Sequence, residues 1–353
     1  NATTEELLKR LPGVTVDADG TITAQGKTVQ QVLVDGKEFF GNDPKMATRN
    51  LPAAAIDKVQ VLEQKSDAAQ FTGIDDGQER TTVNLVLKPN ARVGYFGRAV
   101  GGAGPSPNID AGFAGTKGDD ARYTSSLNLN RFSPETQLSF VGSRNNVGAS
   151  GFSFGPDIMM GGGRGGGGAG SLGSGFSETM ALGLNGSRQF AKNSWLRGSY
   201  FLSTSDNRQQ AVTDEQLLQG ASVSAYRTET ATTAADNLSH RLNLNAQHAF
   251  NDWNQLRFRG NFNAGTNTSD NISQQQTLRP DGTLQNRARS TVATDGDNLN
   301  GDGRFTFSRR FNQAGRSLVA EAWGELSSPD QLTNLSSSTD LSDGLGGITT
   351  RDI

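Results

Sequence analysis

The chain has 353 residues, 33% of them hydrophobic, with 44 glycines, two histidines, no cysteine and a formal net charge of −3. The lack of cysteine excludes a disulfide scaffold and thiolate metal sites, and a near-neutral charge without a basic tract argues against nucleic acid as a partner. No apolar run approaches the ~18 residues of a transmembrane helix, yet a mean hydropathy of −0.54 leaves a membrane barrel open, because only alternate residues of such a wall face lipid.

In chain order, residues 1–91 carry a mixed α/β pattern. Thr3 or Thr4 can cap a helix over Thr4–Arg10, with Glu5 and Glu6 suited to its first turn. Leu11-Pro12-Gly13 ends it. Strands follow at Val14–Val16, Thr21–Ala24 and Val32–Val34, separated by turns at Asp17–Gly20 and Gly26-Lys27, and Asp35-Gly36-Lys37 forms a hairpin-type turn. Pro44–Leu51 and Ala53–Lys58 read as short helices, and Val59–Glu63 and Thr82–Leu87 as strands.

From about residue 93 the pattern becomes long alternating strands. A unit recurs about every 60 residues: an alternating run ends near a Phe, a short polar turn follows, and a second alternating run begins. Its four short turns lie at Ser133–Glu135, Ala191–Ser194, Asn251–Asn254 and Asn312–Arg316. On Gln255–Ala264, one face carries Leu256, Phe258, Gly260, Phe262 and Ala264, and the other Gln255, Arg257, Arg259, Asn261 and Asn263. A polar face of this kind suits a water-filled or plugged lumen. A soluble sandwich would instead bury its apolar faces on a second sheet. Long polar connections are expected at Val147–Gly175, Asp206–Ser222, Thr266–Gln285 and Ser328–Gly347, on the rim opposite the short turns. Phe132, Phe190, Trp195, Phe250, Trp253 and Phe311 would form an interfacial aromatic girdle.

Residues 1–91 resemble the plug domain of TonB-dependent outer-membrane receptors. The resemblance is carried by Ile56–Glu63, by Ser66-Asp67-Ala68-Ala69-Gln70-Phe71-Thr72-Gly73 and by Thr82–Lys88. Leu8–Val14 matches the plug's opening helix and strand. Val34-Asp35-Gly36-Lys37-Glu38-Phe39-Phe40-Gly41-Asn42-Asp43-Pro44 is closer still to a Bacteroidetes-type branch, and Gly94–Arg98 resembles the entry to the first barrel strand. The resemblance implies an α+β plug domain over 1–91, followed over 92–353 by the N-terminal part of an antiparallel transmembrane β-barrel, with about nine or ten strands present of about 22. At roughly 30 residues per strand, such a barrel needs about 660 residues beyond the plug. Both ends of the chain read as cut: no signal peptide or TonB box is visible, and the expectation is a longer polypeptide or a second chain that completes the barrel.

The implied function is plug-gated, TonB-dependent uptake of a scarce solute (oligosaccharide, peptide or metal chelate) across the outer membrane of a Gram-negative bacterium, with no enzyme activity. The implied partners are outer-membrane lipid, a TonB-type energy-transducing protein, and a surface lipoprotein or other outer-membrane subunits. The alternatives are a receptor-like scaffold subunit of an outer-membrane complex and a soluble β-sandwich adhesin.

Candidate chemistry is sparse. Substrate contact is assigned to the loop carrying Phe152, Phe154, Met159, Met160 and Arg164, around the glycine run Gly161–Gly168, which lacks a phosphate-loop Gly-Lys-Ser/Thr. Asp295, Asp297 and Asp302 sit in a stretch that resembles the start of a calcium loop, but position twelve is Arg309 rather than a bidentate Glu, so a polar turn or bulge is the preferred reading. His240 and His248 share a strand face at a separation of about 27 Å, too far to share a metal. The acids Asp35, Glu38, Asp43, Asp75, Asp76 and Glu79 are expected in solvated turns or in ion pairs with lumen arginines such as Arg241, Arg257 and Arg259.

Overall fold

The computed structural model describes residues 2–17, 20–40, 44–75, 77–105, 121–147, 175–220, 222–312, 316–342 and 348–352. The chain opens with α1 (Thr4–Leu8), whose N-cap is Thr3. Thr3 Oγ1 accepts from the Glu6 N–H, and the Glu6 carboxylate accepts from the Thr3 N–H, a reciprocal capping box. Strands β1 (Val14–Val16), β2 (Ile22–Ala24) and β3 (Lys27–Thr28) form a small antiparallel sheet. A second sheet has the order β5-β4-β7-β6, from β4 (Gln31–Val34), β5 (Lys37–Glu38), β6 (Ile56–Lys65) and β7 (Glu79–Leu87), with β4 parallel to β7. Val32, Val34, Val83, Leu85 and Leu87 of this sheet pack with Leu8 of α1 and Leu51, just past α2 (Pro44–Asn50), in one core.

A local expectation is corrected. Ala53–Lys58 is not a helix: a 3-10 turn at Ala53–Ala55 gives way at Ile56 to β6, where pairing with β7 outweighs the helix propensity of the three alanines. The segment after Ser66 is a full turn of helix, α3 (Asp67–Thr72). Ser66 Oγ accepts from the Ala69 N–H at one end, and Gly73, at φ 76°, takes the left-handed cap at the other. The chain then passes through α4 (Pro89–Arg92).

The remainder is a ten-stranded antiparallel meander in strict chain order. Its strands are β8 (Gly94–Gly104), β9 (Arg122–Phe132), β10 (Thr136–Asn145), β11 (Gly175–Ala191), β12 (Ser194–Gln219), β13 (Ser222–Ala249), β14 (Asn254–Leu278), β15 (Leu284–Arg310), β16 (Ser317–Ser342) and β17 (Ile348–Asp352). The short turns fall where the repeat predicts. The period of two gives the sheet two unlike faces: Leu184 is 54% exposed, while its neighbour Asn185 is 6% exposed. Cross-strand pairing carries one apolar row without interruption through Leu129, Phe140, Leu184, Tyr200, Leu242, Phe262, Gly301 and Leu326. The adjacent row on the opposite face reads Asn130, Ser139, Asn185, Ser199, Asn243, Asn261, Asp302 and Glu325.

The expected loops at Asp206–Ser222, Thr266–Gln285 and Ser328–Gly347 are instead largely strand. β12 to β16 run 25 to 28 residues each, and β12 turns into β13 at Gly220, β14 into β15 across Arg279–Thr283. A membrane crossing takes about 9–11 residues, and the outward apolar run of β14, Leu256 to Ala264, has that length. Beyond it polar residues dominate both faces, so the apolar period vanishes although the ladder continues. That is why these segments resemble loops in sequence. Among the described residues no helix is long and apolar enough to cross a membrane.

Candidate functional site

The N-terminal α/β unit is seated on the polar face of the meander, and the seam between them gathers the functional side chains. Asp67 is the first residue of α3, so the Ser66 cap fixes the direction of its carboxylate. Arg257 Nη1 reaches Asp67 Oδ1 at 2.5 Å, and Arg259 Nη2 reaches Oδ2 at 2.6 Å. The two arginines are two residues apart on β14 and therefore project from one face as a fork. Their place on the polar face is the one expected from sequence, but their partner is Asp67 and not one of the acids singled out there. Burial alone would raise the Asp67 carboxyl. Arg257, Arg259 and Arg80 outweigh it and hold the carboxyl below its ordinary value of 3.8. Arg197 stacks on the Trp195 ring at 4.0 Å, and Arg257 lies 5.4 Å from the same ring.

A second cluster surrounds β5. Glu38 accepts from Gln31 Nε2 at 2.9 Å within its own sheet and from Asn245 Nδ2 of β13 at 2.8 Å. Next to it, Phe39 and Phe40 are almost fully buried and meet edge to face at 4.8 Å. Phe40 packs on Phe201 of β12 at 5.0 Å, Phe39 on Phe132 of β9 at 6.3 Å. The Phe40 N–H donates to Asn185 Oδ1 at 2.9 Å, Asn128 Nδ2 donates to the Asn50 carbonyl at 2.6 Å, and Lys37 Nζ donates to the Pro134 carbonyl at 2.9 Å. The Phe201 ring lies over Gly183: a Cβ there would sit 2.7 Å from Val141 Cγ2 and 2.8 Å from Phe201 Cδ1. The seam thus combines two aromatic anchors, an acid held by two arginines, and a field of neutral amides. Asn130 Oδ1, Gln137 Oε1, Asn185 Nδ2 and Asn245 Oδ1 are buried there without a hydrogen-bond partner among the described residues.

The remaining candidates separate clearly. Phe152, Phe154, Met159, Met160 and Arg164 lie outside the described residues, as do Asp43 and Asp76. Asp295, Asp297 and Asp302 do not form a turn or bulge: all three lie within the continuous ladder of β15, the first two on the apolar-row face and Asp302 on the polar face, where it accepts from Asn261. They cannot converge on one ion. Arg241 hydrogen-bonds Asn263 rather than an acid. Asp35 accepts from the Leu87 N–H and lies 3.4 Å from Arg92, and Asp75 pairs with Lys65. His240 Nδ1 meets the Tyr200 hydroxyl at 2.8 Å, and His248 lies against Phe250. Two of the proposed girdle residues face inward: Phe132 is 2% exposed between Phe39 and Phe96, and Trp195 carries the arginine stack. Phe190, Phe250, Trp253 and Phe311 are exposed at the short turns.

No family model and no curated protein matches the chain. Among solved structures it is similar to the ferric-catecholate import receptor Fiu from E. coli K12, at 10% identity over 99% of this chain and 66% of that one, with a TM-score of 0.25. It is similar also to the copper transporter OprC, at 10% identity, 97% and 58% coverage and a TM-score of 0.26. A mutant ferric enterobactin receptor, PfeA, from Pseudomonas aeruginosa follows at 12% identity, 99% and 59% coverage and a TM-score of 0.27. The chain spans 58 to 66% of the length of these structures.

Proposed function

We infer that this chain belongs to the TonB-dependent outer-membrane receptors, with residues 1–91 as the plug and residues 92–353 as the N-terminal part of the barrel wall. The observation that carries this reading is the sidedness of the meander. An unbroken apolar row faces outward, and a folded α/β unit is held on the inward polar face by Asp67, Glu38 and Phe40. A wall with lipid on one side and water on the other needs this alternation, and a wide lumen needs an occupant to prevent leakage.

The work assigned to it is uptake of a scarce solute such as an oligosaccharide, a peptide or a metal chelate, with no catalytic step. The solute would be met by the far ends of β12 to β16 and the segment carrying Phe152, Phe154, Met159, Met160 and Arg164. A TonB-type protein would supply the force that loosens the plug. The charge-and-amide seam suits that task, because each contact is worth about 1 kcal/mol or a few, far less than the continuous sheet that forms the wall.

The test uses the full-length protein in cells. Outer-membrane fractionation and heat-modifiable electrophoretic migration are expected, and recovery as a soluble protein overturns the reading. In the same cells Ser66→Cys, which lies under the Asp67 fork, should react faster with a maleimide when the energy-transducing protein is present. Equal labelling with and without it would replace transport by the scaffold reading.

A further inference from the structure

The outward face of the meander is charged unequally at its two edges. At the edge of the short turns, Arg131 of β9, Arg188 of β11 and Arg309 of β15 all lie on the outward side, as their register against Leu138, Leu196 and Asn254 requires. Each guanidinium lies over an exposed aromatic ring: Arg131 over Tyr95 at 5.7 Å, Arg188 over Phe190 at 5.5 Å and Arg309 over Phe311 at 5.3 Å. His248 repeats the arrangement against Phe250 at 4.8 Å. The device therefore recurs as an arginine two residues before an aromatic in Arg188-Gln189-Phe190 and Arg309-Arg310-Phe311, and His248-Ala249-Phe250 places an imidazole at the same position. Among the described residues none of the three arginines forms an ion pair. On the other side of the apolar band acids and arginines are paired: Glu178, Asp206 and Asp236 stand directly opposite one another on successive strands, followed by Thr268 and Asp295, with Arg144 on Glu178 at 2.6 Å and Arg208 on Asp206 at 3.2 Å.

Between these edges the outward surface holds a groove of about 850 Å³. Its floor is backbone at Gly97, Gly186 and Gly198, and its sides are Leu138, Leu184 and Leu242. Arg131 lines one end of it. The groove is apolar along its length and cationic where it meets the short-turn edge. That is the charge pattern of a lipid with an anionic headgroup and hydrocarbon tails.

We propose that this face binds an anionic phospholipid of the leaflet next to the short turns, with its phosphate on Arg131 and an acyl chain along the glycine floor, and that Arg188 and Arg309 hold further headgroups at the same height. A guanidinium resting on an aromatic face keeps its N–H edge free for bidentate hydrogen bonds to phosphate. The long arginine stem meanwhile lies along apolar surface. At the far edge Arg144 and Arg208 are already engaged by Glu178 and Asp206, so the preference belongs to one leaflet.

The site rests on the outer-membrane reading above, and the experiment separates the two. The full-length protein is reconstituted with an equal mixture of dioleoyl phosphatidylglycerol and dioleoyl phosphatidylcholine, and the retained lipid is counted by native mass spectrometry. The protein should insert and retain phosphatidylglycerol preferentially. The variants Arg131→Gln, Arg188→Gln and Arg309→Gln should each weaken that retention, by roughly fivefold per arginine, while the corresponding lysine variants, which keep the charge but lose the bidentate edge, should fall between. Gly186→Leu, which fills the groove, should reduce retention of both lipids. Insertion without any preference in the wild-type protein overturns the lipid site alone, whatever the variants do. Failure to insert overturns the membrane reading and the site with it.

Discussion

Replacing Asp67 by Asn removes the carboxylate paired directly with both Arg257 and Arg259, leaving Glu38 as a more distant anion for Arg257. The Arg257 side chain is 10% exposed, while those of Arg259 and Asp67 are each 33% exposed. Breaking a fully buried pair from one side costs about 3–5 kcal/mol. Screening at the half-open Asp67–Arg259 arm reduces this, and we expect about 2–3 kcal/mol of lost seating. At 1.4 kcal/mol per decade this is roughly a 30- to 140-fold shift toward the unseated state. Hydrogen exchange on the full-length protein reads it directly: amides of α3 and of its flanks should exchange faster by that factor, while those of β12 to β14 keep their protection. Arg257→Gln added to Asp67→Asn should recover part of the loss, because the most buried cation is gone. The wild-type protein should show the same loosening in acid. With the folded carboxyl held below its ordinary value of 3.8, the contribution is complete above about pH 4 and is lost as pH falls through the depressed value. Unchanged exchange in Asp67→Asn, or loosening that sets in near neutral pH, would refute the electrostatic account of the seam.

Three further outcomes follow from the same geometry. Phe40→Ala removes an anchor wedged between Phe39 and Phe201 and should destabilise the N-terminal unit by about 3–5 kcal/mol in denaturant titration, whereas Phe250→Ala at an exposed turn should change stability little. Gly183→Val places carbon where Phe201 and Val141 already sit and should cost about 1–3 kcal/mol by the same measurement, with Phe201→Leu restoring part of it. Leu242→Arg in the outward apolar row should impair membrane folding by about 2–4 kcal/mol, while Val212→Arg, more exposed but beyond the band, should be close to neutral. Equal effects at the two positions would move the band.

Much of this architecture is legible in the residues because alternation and turn chemistry are local. Leu182-Gly183-Leu184-Asn185 and Leu242-Asn243-Leu244-Asn245 declare their faces, and the α1 cap is visible in Thr3 and Glu6. The inward arginines of β14 follow from period two alone. Their partner does not: Asp67 is 190 residues from Arg257, and nothing in its neighbourhood distinguishes a helix-start acid from a buried counter-ion. The far halves of β12 to β16 are illegible for a different reason. Where both faces of a strand meet water, threonine, serine and asparagine alternate with one another, and a ladder has the composition of a loop. Phe132 and Phe190 end equivalent strands, yet one is buried and the other exposed, because only Phe132 points to the side where Phe39 waits.

The half-satisfied amides of the seam have a mechanical consequence. Asn130, Gln137, Asn185 and Asn245, one each on β9, β10, β11 and β13, present neutral donors and acceptors in two adjacent cross-strand rows of the polar face. A surface of this type can exchange one hydrogen bond for its neighbour as the contacting unit slips by a residue, so resistance to shear is low and spread over many small steps. Phe40 and the Asp67 fork lack such neighbours and act as detents. Force applied along the wall would therefore meet two discrete thresholds on an otherwise slippery track, and the unit would slide in register rather than tear loose.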